Sequence, residues 1–178
     1  TLTLNRKNVN VSAQLIGKVV PNNATNSKLS WKSSNTKVVT VARNGKIIGK
    51  SRGTAKITVT TTDGSNVFAT CNVTVKQLVT SVKLNAKSKV LYNGKATTLK
   101  ATVSPSNASN KAVTWKTSNS KVATVNAKGI VTAKKPGYAY ITVKTKDSNK
   151  TARCKVTVKA QKAKKVTVNV KKSISLQK

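Results

Sequence analysis

Residues 53–59 have the sequence Gly-Thr-Ala-Lys-Ile-Thr-Val, in which apolar side chains alternate with polar ones. Ala55, Ile57 and Val59 therefore lie on one side of an extended chain, and the polar residues lie on the other. A similar alternation returns in residues 69–75, Ala-Thr-Cys-Asn-Val-Thr-Val. This period of two is typical of β-strands with one buried face, and no stretch shows a comparable helical period. The sequence predicts an all-β chain.

Turn signals separate these short β-branched stretches. Asn44-Gly45 stands between residues 38–41 and residues 47–48. This dipeptide favours a tight hairpin with positive φ at both central residues. Gly53 and Gly137 are expected to begin the strands that carry the alternating apolar residues.

The pattern occurs twice along the chain. Trp31 matches Trp115 at an offset of 84 residues. The same offset relates Pro21 to Pro105, Gly45 to Gly129, Gly53 to Gly137, Ile57 to Ile141, Val59 to Val143 and Asp63 to Asp147. After a one-residue deletion near Asp147, Cys71 matches Cys154. Residues 166–170 also resemble residues 81–85, which indicates the start of a third copy and a chain cut from a longer array.

Repeats of this length, with several short strands and regular turns, predict tandem β-sandwiches of the immunoglobulin-like type. We place the first domain at residues 1–77 and the second at residues 78–160. Residues 161–178 are the first strand region of a third repeat or a C-terminal tail. The short join at residues 76–79 contains neither Gly nor Pro, so we expect limited bending between the domains.

Several of these motifs resemble the bacterial immunoglobulin-like domain, group 2. In the first copy they are KLSWKSSN at residues 28–35, VVTV at 38–41 and GTAKITV at 53–59; in the second, AVTWKTSN at 112–119, VATV at 122–125, GIVTA at 129–133 and GYAYITV at 137–143. The resemblance implies a Greek-key sandwich, exported from a bacterium or carried on a phage particle, that serves as a stalk or adhesive module. It brings no shared catalytic residues, so we expect no enzymatic activity and no cofactor.

The recurring large and apolar residues are interpreted first as core. A Trp in a strand of a small sandwich offers a large apolar surface, so Trp31 and Trp115 are expected to fill the space between the sheets, with sugar stacking as the alternative. Ile57 and Ile141 face inward by the alternation. Cys71 and Cys154 occupy equivalent inward positions in different domains, too far apart for a disulfide, and each is expected to be a buried, inert thiol.

The composition excludes most enzyme classes. The 178 residues include 35 Lys and Arg but only two acids, Asp63 and Asp147, with no His and two Cys. General acid–base and metal chemistry draw on those scarce residue types. Each Asp lies in a polar turn and is expected to form an Asx-turn. Calcium needs about six to eight oxygen ligands, and each domain supplies only one carboxylate, so no metal site is predicted.

The net charge of +33 holds the remaining functional information. Lysine is common on the outer face of a sheet. A positive electrostatic field with almost no acidic residues to balance it, however, favours a protein that works in an anionic environment. The candidate polyanion contacts are Lys144, Lys146, Lys155, Lys159, Lys162, Lys164 and Lys165. The partners expected are teichoic acid, host glycans or another anionic surface polymer. Aromatics are 3% of the residues and Arg is scarce, so nucleic acid is expected to bind only non-specifically.

Three functions remain open at this stage. The first is a structural and adhesive stalk at the bacterial surface, held on anionic polymers by diffuse electrostatics. The second is an accessory role beside the catalytic domain of an exported enzyme. The third is a subunit of a phage particle or filament, in which residues 166–176 add as a strand to a neighbouring repeat or subunit. No apolar stretch is long enough to insert into a membrane.

Overall fold

A computed structural model describes residues 1–7 and 9–161 of the chain. In the first repeat the strands are β1 (Leu2–Arg6), β2 (Val11–Gln14), β3 (Leu29–Ser33), β4 (Val39–Val41), β5 (Lys46–Gly49), β6 (Gly53–Thr61) and β7 (Phe68–Gln77). In the second repeat they are β8 (Ser81–Leu84), β9 (Ser88–Tyr92), β10 (Ala96–Thr98), β11 (Ala101–Ser104), β12 (Val113–Thr117), β13 (Ala123–Val125), β14 (Ile130–Ala133), β15 (Gly137–Thr145) and β16 (Thr151–Lys159). The all-β prediction is confirmed.

Each repeat forms two sheets that share one core. In the first repeat the order β1-β7-β6-β3 makes one sheet and β2-β5-β4 the other. In the second repeat the sheets are β12-β15-β16-β9 and β10-β14-β13, and β8 pairs with β11 in a separate two-stranded ladder. The chain passes from one sheet to the other several times within each repeat, as in immunoglobulin-like sandwiches.

The alternation seen in the sequence places the apolar side chains between the sheets. Ala55 and Ile57 of β6 are 2% and 1% exposed, and their counterparts Ala139 and Ile141 are fully buried. Trp31 and Trp115 are half-buried and pack against the cores of their own domains. Each repeat therefore has its own hydrophobic core.

The hairpin at Asn44-Gly45 differs in detail from its prediction. Residues 42–45 connect β4 to β5, and the N–H of Gly45 donates to the carbonyl of Ala42 at 2.9 Å. Gly45 has a φ of +81°, whereas Asn44 is not among the residues with positive φ. A side chain at this position would meet the carbonyl oxygen of Leu15 and lie 3.0 Å from the ring of Trp31. A glycine is required here for two reasons: the backbone has a positive φ, and the Trp31 ring leaves no room for a side chain.

The two domains meet at a hydrogen-bonded joint. Gln77, at the end of β7, is 1% exposed; its N–H donates to Oγ of Ser109 at 2.9 Å and its carbonyl accepts the N–H of Ser109 at 2.8 Å. The N–H of Val79 donates to Oδ2 of Asp147 at 3.2 Å. Nη1 of Arg52 donates to the carbonyl of Asn107 at 3.3 Å. Contacts from several loops thus connect the domains across the short join.

Within residues 1–7 and 9–161 there is no helix with the length and apolarity that crossing a bilayer would require.

Candidate functional site

The outer face of the sheet β12-β15-β16-β9 carries the densest cluster of aromatic and cationic side chains that we identify. Strand alternation directs Ala139, Ile141 and Val143 of β15 into the core, so the residues between them face solvent. The same alternation applies to β16, whose buried residues are Cys154, Val156 and Val158. Among the outward residues of this sheet, we give the name tyrosine face to Tyr92, Tyr138, Tyr140, Lys144, Arg153, Lys155 and Lys159.

Cross-strand pairing brings the rings and cations of the tyrosine face together. Tyr140 lies opposite Lys155 in the antiparallel pair of β15 and β16. The guanidinium carbon of Arg153 lies 4.4 Å from the centroid of the Tyr140 ring, and Nζ of Lys155 lies 5.1 Å from that of Tyr138. These are cation–π distances, which contribute about 0.5–1 kcal/mol each at exposed positions. The two tyrosine rings are 6.1 Å apart and nearly perpendicular, at 80°.

The face continues onto the edge strand β9. Tyr92 lies opposite Lys159 in the parallel pair of β9 and β16 and is 44% exposed, and Val90 beside it is 58% exposed. All three tyrosines of the sequence therefore lie on one surface. Tyr138, at 60% exposure, is the ring most open to a ligand.

The first domain does not repeat this cluster. The counterparts of Tyr138 and Tyr140 are Thr54 and Lys56, and those of Arg153 and Lys155 are Thr70 and Asn72. The equivalent surface is therefore polar but carries no ring at these places. The tyrosine face is a property of the second domain.

The predicted polyanion contacts fall into three groups. Lys144, Lys155 and Lys159 are exposed on the tyrosine face. Lys146 is exposed in the turn after β15, where its N–H donates to the carbonyl of Ala112 at 2.9 Å. The remaining three, Lys162, Lys164 and Lys165, lie outside the described residues.

Sequence reasoning missed the tyrosines and Arg153 as contributors. A signal was present, because Tyr138 and Tyr140 occupy alternate positions around the buried Ala139. The pairing of Arg153 with Tyr140 depends on strand register, which the sequence alone does not give.

Neither carboxylate of the chain lies on the tyrosine face. Asp63 is in the turn between β6 and β7, where its Oδ1 accepts the N–H of Ser65 at 3.0 Å and the Ser65 hydroxyl at 2.6 Å. These hydrogen bonds, led by that of the Ser65 side chain, lower the pKa of Asp63. The Asx-turn prediction is confirmed for Asp63 but is wrong for Asp147, whose carboxylate accepts the Val79 N–H at the joint.

The cysteines also differ from each other. Both are free thiols; Cys154 is fully buried, and this burial raises its pKa. Cys71 is only half-buried, so the expectation of a buried thiol is wrong there. In the described part of the chain, no three His, Cys, Asp or Glu side chains lie close enough together to hold a metal ion. The cations and rings can bind sulfate, phosphate or carboxylate groups and stack on sugars.

Comparison with known proteins decides the family. The model of the bacterial Ig-like domain (group 2) matches residues 3–73 and 78–156. The chain belongs to this family. The two matches fall on the two sandwiches, so both repeats are bacterial Ig-like domains.

The chain is similar to proteins of different kinds. The chain is 39% identical over 151 residues to an uncharacterized protein of Clostridium acetobutylicum, covering 84% of this chain and 16% of that protein. It is 38% identical over 144 residues to the Ig-like virion protein of Serratia phage KSP90, covering 79% and 56% respectively. It is 51% identical over 72 residues to the kappa-carrageenase of Pseudoalteromonas carrageenovora, covering 40% and 18%. The chain thus spans from about a sixth to just over half the length of these relatives.

A solved structure supports the fold alone. Sidekick-1 immunoglobulin domains 1–4 match 90% of this chain and 46% of that one, with a TM-score of 0.59 at 11% identity. The prediction of tandem immunoglobulin-like sandwiches is confirmed.

Proposed function

We propose that this pair of bacterial Ig-like domains is a non-catalytic, basic spacer that associates with anionic polymers outside the bacterial cytoplasm. The observation that carries the proposal is the charge: with 35 basic residues and two acids, at least 33 basic side chains have no acidic side chain on the chain to pair with. Such a field attracts polyanions from a distance and is strongly dependent on salt. A location on the cell surface or on a virion fits the family and its relatives.

The joint supports the role of a spacer. Gln77 and Arg52 of the first domain each hydrogen-bond to a loop of the second domain, and Val79 fixes the join to Asp147 of the second domain. Separate contacts of this kind restrict the hinge more than a bare four-residue connection does.

The tyrosine face supports a preference of the chain for charged polysaccharides over other anions. Its lysines and Arg153 donate to sulfate or phosphate oxygens, while Tyr138 offers an exposed ring for sugar stacking. A charged polysaccharide, such as teichoic acid or a sulfated glycan, presents both features in one polymer. Diffuse attraction brings the polymer to the chain, and the tyrosine face retains it.

A second candidate function has a specific observation in its favour. The similarity to a virion protein extends over both repeats, covering 79% of this chain and 56% of that protein. We infer from it that a structural role in a phage particle is the main alternative to a bacterial surface stalk. The similarity to part of a carrageenase favours, more weakly, an accessory role beside a carbohydrate-acting domain.

A salt titration with matched variants tests the proposal. The full chain is bound to immobilised teichoic acid, heparin, duplex DNA and a neutral glycan at increasing salt. The variant Lys144→Gln/Lys155→Gln/Lys159→Gln removes three charges from the tyrosine face, and Lys121→Gln/Lys128→Gln/Lys134→Gln removes three exposed charges near β13 and β14. We expect all three anions to bind at low salt, and the first variant to lose more polysaccharide binding at physiological salt than its control. Binding to the neutral glycan alone contradicts the proposal, and equal loss in both variants removes the role of the tyrosine face.

A further inference from the structure

A cavity of about 530 Å³ opens beside β8 in the second domain, where the chain crosses from one ladder to another. β8 pairs with β11, whereas β9 pairs with β16, so residues 85–87 connect the two ladders. Three of the lining side chains are cations, Lys83, Lys87 and Arg153, and none of the described lining residues is acidic. We call this site the basic cleft.

Hydrogen bonds fix the backbone around the basic cleft. At the end of β8, Oδ1 of Asn85 accepts the N–H of Lys100 at 2.9 Å, and the N–H of Asn85 donates to the Lys100 carbonyl at 3.1 Å. At the start of β9, the carbonyl of Lys87 accepts the N–H of Lys155 at 2.9 Å. Because the backbone is held on both sides of residues 85–87, the cleft is formed without a ligand, and binding costs less conformational entropy.

A backbone donor lies among the three cations. The pairing of β9 with β16 begins at Lys155, opposite Ser88. The N–H groups of alternate residues in a strand point to the same edge, so the N–H of Arg153 points to the edge on which Lys155 contacts Lys87. Arg153 precedes the part of β16 that pairs with β9 and lines the cleft. Its N–H is therefore placed to donate to an oxyanion in the cleft.

The remaining lining of the basic cleft is apolar. Leu84 and Ala86 are half-buried and pack against the core of the second domain, and Ala152 of β16 is also half-buried. An apolar wall beside cations suits a ligand that carries a C–H face as well as a charge, as an acidic sugar does. The volume lies within the range of small-molecule sites, about 300–1,000 Å³.

Arg153 connects the basic cleft to the tyrosine face. Its guanidinium carbon lies 4.4 Å from the centroid of the Tyr140 ring, and the same side chain lines the cleft. The ring attracts the guanidinium through its π face, and the several N–H groups of an arginine leave donors for an oxyanion as well. A polymer that contacts Tyr140 is therefore separated from the cleft by one side chain.

We propose that the basic cleft binds one sugar-borne oxyanion with three terminal oxygens, a sulfate ester or a phosphate monoester, of the polymer that the tyrosine face retains. The inference rests on the proposed function and names the group that the chain selects. The donors come from β8, from the connection after it and from β16, so they suit a tetrahedral group. A carboxylate presents its oxygens in one plane and meets fewer of these donors.

Amide NMR of the full chain tests this selection. The probes share one hexose ring: glucose 6-sulfate, glucose 6-phosphate, glucuronic acid and glucose, titrated at constant ionic strength. We expect the amides of residues 82–87 and 152–153 to shift and saturate with both esters, and not to shift with glucose. The ester that binds more tightly identifies which of the two groups the cleft takes.

Glucuronic acid separates geometry from charge, because it carries the same single negative charge as glucose 6-sulfate. We expect its dissociation constant to be about threefold higher or more, since it lacks one terminal oxygen and the hydrogen bond that this oxygen accepts. Equal affinity for glucuronic acid and glucose 6-sulfate would overturn the assignment of the ligand.

Variants locate the binding in the basic cleft. Lys83→Gln/Lys87→Gln removes two of its cations, and Lys121→Gln/Lys128→Gln, in the loops that flank β13, is the matched control. Ala152→Leu fills the cleft without a change of charge. We expect the first and last variants to raise the dissociation constant of glucose 6-sulfate about fivefold or more, and the control to change it less than about twofold. An equal effect of the control, or no effect of a folded Ala152→Leu variant, would overturn the cleft.

Failure of this inference is distinguishable from failure of the proposed function. A wild-type chain that does not retain heparin or teichoic acid contradicts the proposed function, whatever the sugar probes do. Retention of these polymers, with unmoved amides at residues 82–87 and 152–153 in the presence of both esters, overturns the basic cleft and leaves the proposed function intact. Thermal melting of each variant verifies that it is folded, and the exposed pair Lys83 and Lys87 decides the test if Ala152→Leu is not.

Discussion

The backbone N–H of Val79, the last residue of the join, donates to Oδ2 of Asp147 in the second domain at 3.2 Å. Val79 is 1% exposed, so its N–H has little access to water. Asp63, the counterpart of Asp147, makes its hydrogen bonds within its own turn at the far end of the first domain. The equivalent Asp thus accepts a hydrogen bond from the join in the second domain and from its own turn in the first.

Removal of the Asp147 carboxylate is expected to loosen the joint. Asp147→Ala leaves the Val79 N–H without this acceptor, and an unsatisfied buried donor costs about 1–3 kcal/mol. We expect a wider distribution of interdomain angles, measured by small-angle X-ray scattering or by residual dipolar couplings. Asp63→Ala is the matched control, since it removes the equivalent carboxylate away from the joint. Equal broadening in both variants would show that Asp147 does not restrain the domains.

Gly129 is expected to tolerate alanine poorly. Its φ of +79° is left-handed, which costs a residue with a Cβ about 1–2 kcal/mol. A Cβ would also meet the carbonyl of Leu99 and lie 2.9 Å from Cζ2 of Trp115. Gly94 separates the two effects, because its φ is +76° but nothing lies within 4 Å of an added Cβ. In chemical denaturation, Gly94→Ala should show only the backbone cost and Gly129→Ala a clearly larger loss; similar losses would mean that Trp115 moves aside freely.

The fold was predictable from local patterns that the structure satisfies directly. Alternation at Ala55 and Ile57 follows from the pleat of a strand, and the duplication of the pattern indicates two such units. The turn at Gly45 was placed correctly, but its conformation was not. The number of residues in a hairpin loop depends on the last pair of hydrogen-bonded residues in the two strands. Here the hydrogen bonds of Ala42 determine that pair.

The candidate site was only partly predictable, because it depends on the register between strands. Lys144 and Lys155 face outward by alternation alone. The approach of Arg153 to Tyr140 needs the pairing of β15 with β16, and the hydrogen bond of Asp147 needs the folding of the join onto the turn after β15.

The two thiols are expected to react at very different rates. Cys154 is fully buried with a raised pKa, whereas Cys71 is half-buried. Because the thiolate is the reactive form, iodoacetamide should label Cys71 first, with Cys154 protected until the second domain unfolds. A raised folded pKa contributes stability below the unfolded thiol pKa, about 8.5, and that contribution is lost as the pH rises above it. Mass spectrometry of the labelled peptides checks the order; equal rates would contradict the burial of Cys154.

Thr145 is expected to stabilise the second domain through a buried turn. It is fully buried; its N–H donates to the carbonyl of Lys150 at 2.9 Å, and its Oγ1 accepts the Lys150 N–H at 2.9 Å. Thr145→Val keeps the shape but removes this acceptor, so the Lys150 N–H loses its partner at a cost of about 1–3 kcal/mol. The counterpart Thr61 is half-buried, and its hydroxyl pairs with that of Ser65 at 2.8 Å, where water can replace the bond.

Thr61→Val is therefore the matched control for Thr145→Val. We expect the Thr145 variant to lower the unfolding free energy of the second domain, measured by urea denaturation followed through Trp115 fluorescence. The Thr61 variant should change the first domain, followed through Trp31, by a much smaller amount. To separate the two signals, each variant is made once with Trp31→Phe and once with Trp115→Phe. A larger loss for Thr61 would show that the exposed turn, rather than the buried one, holds its domain together.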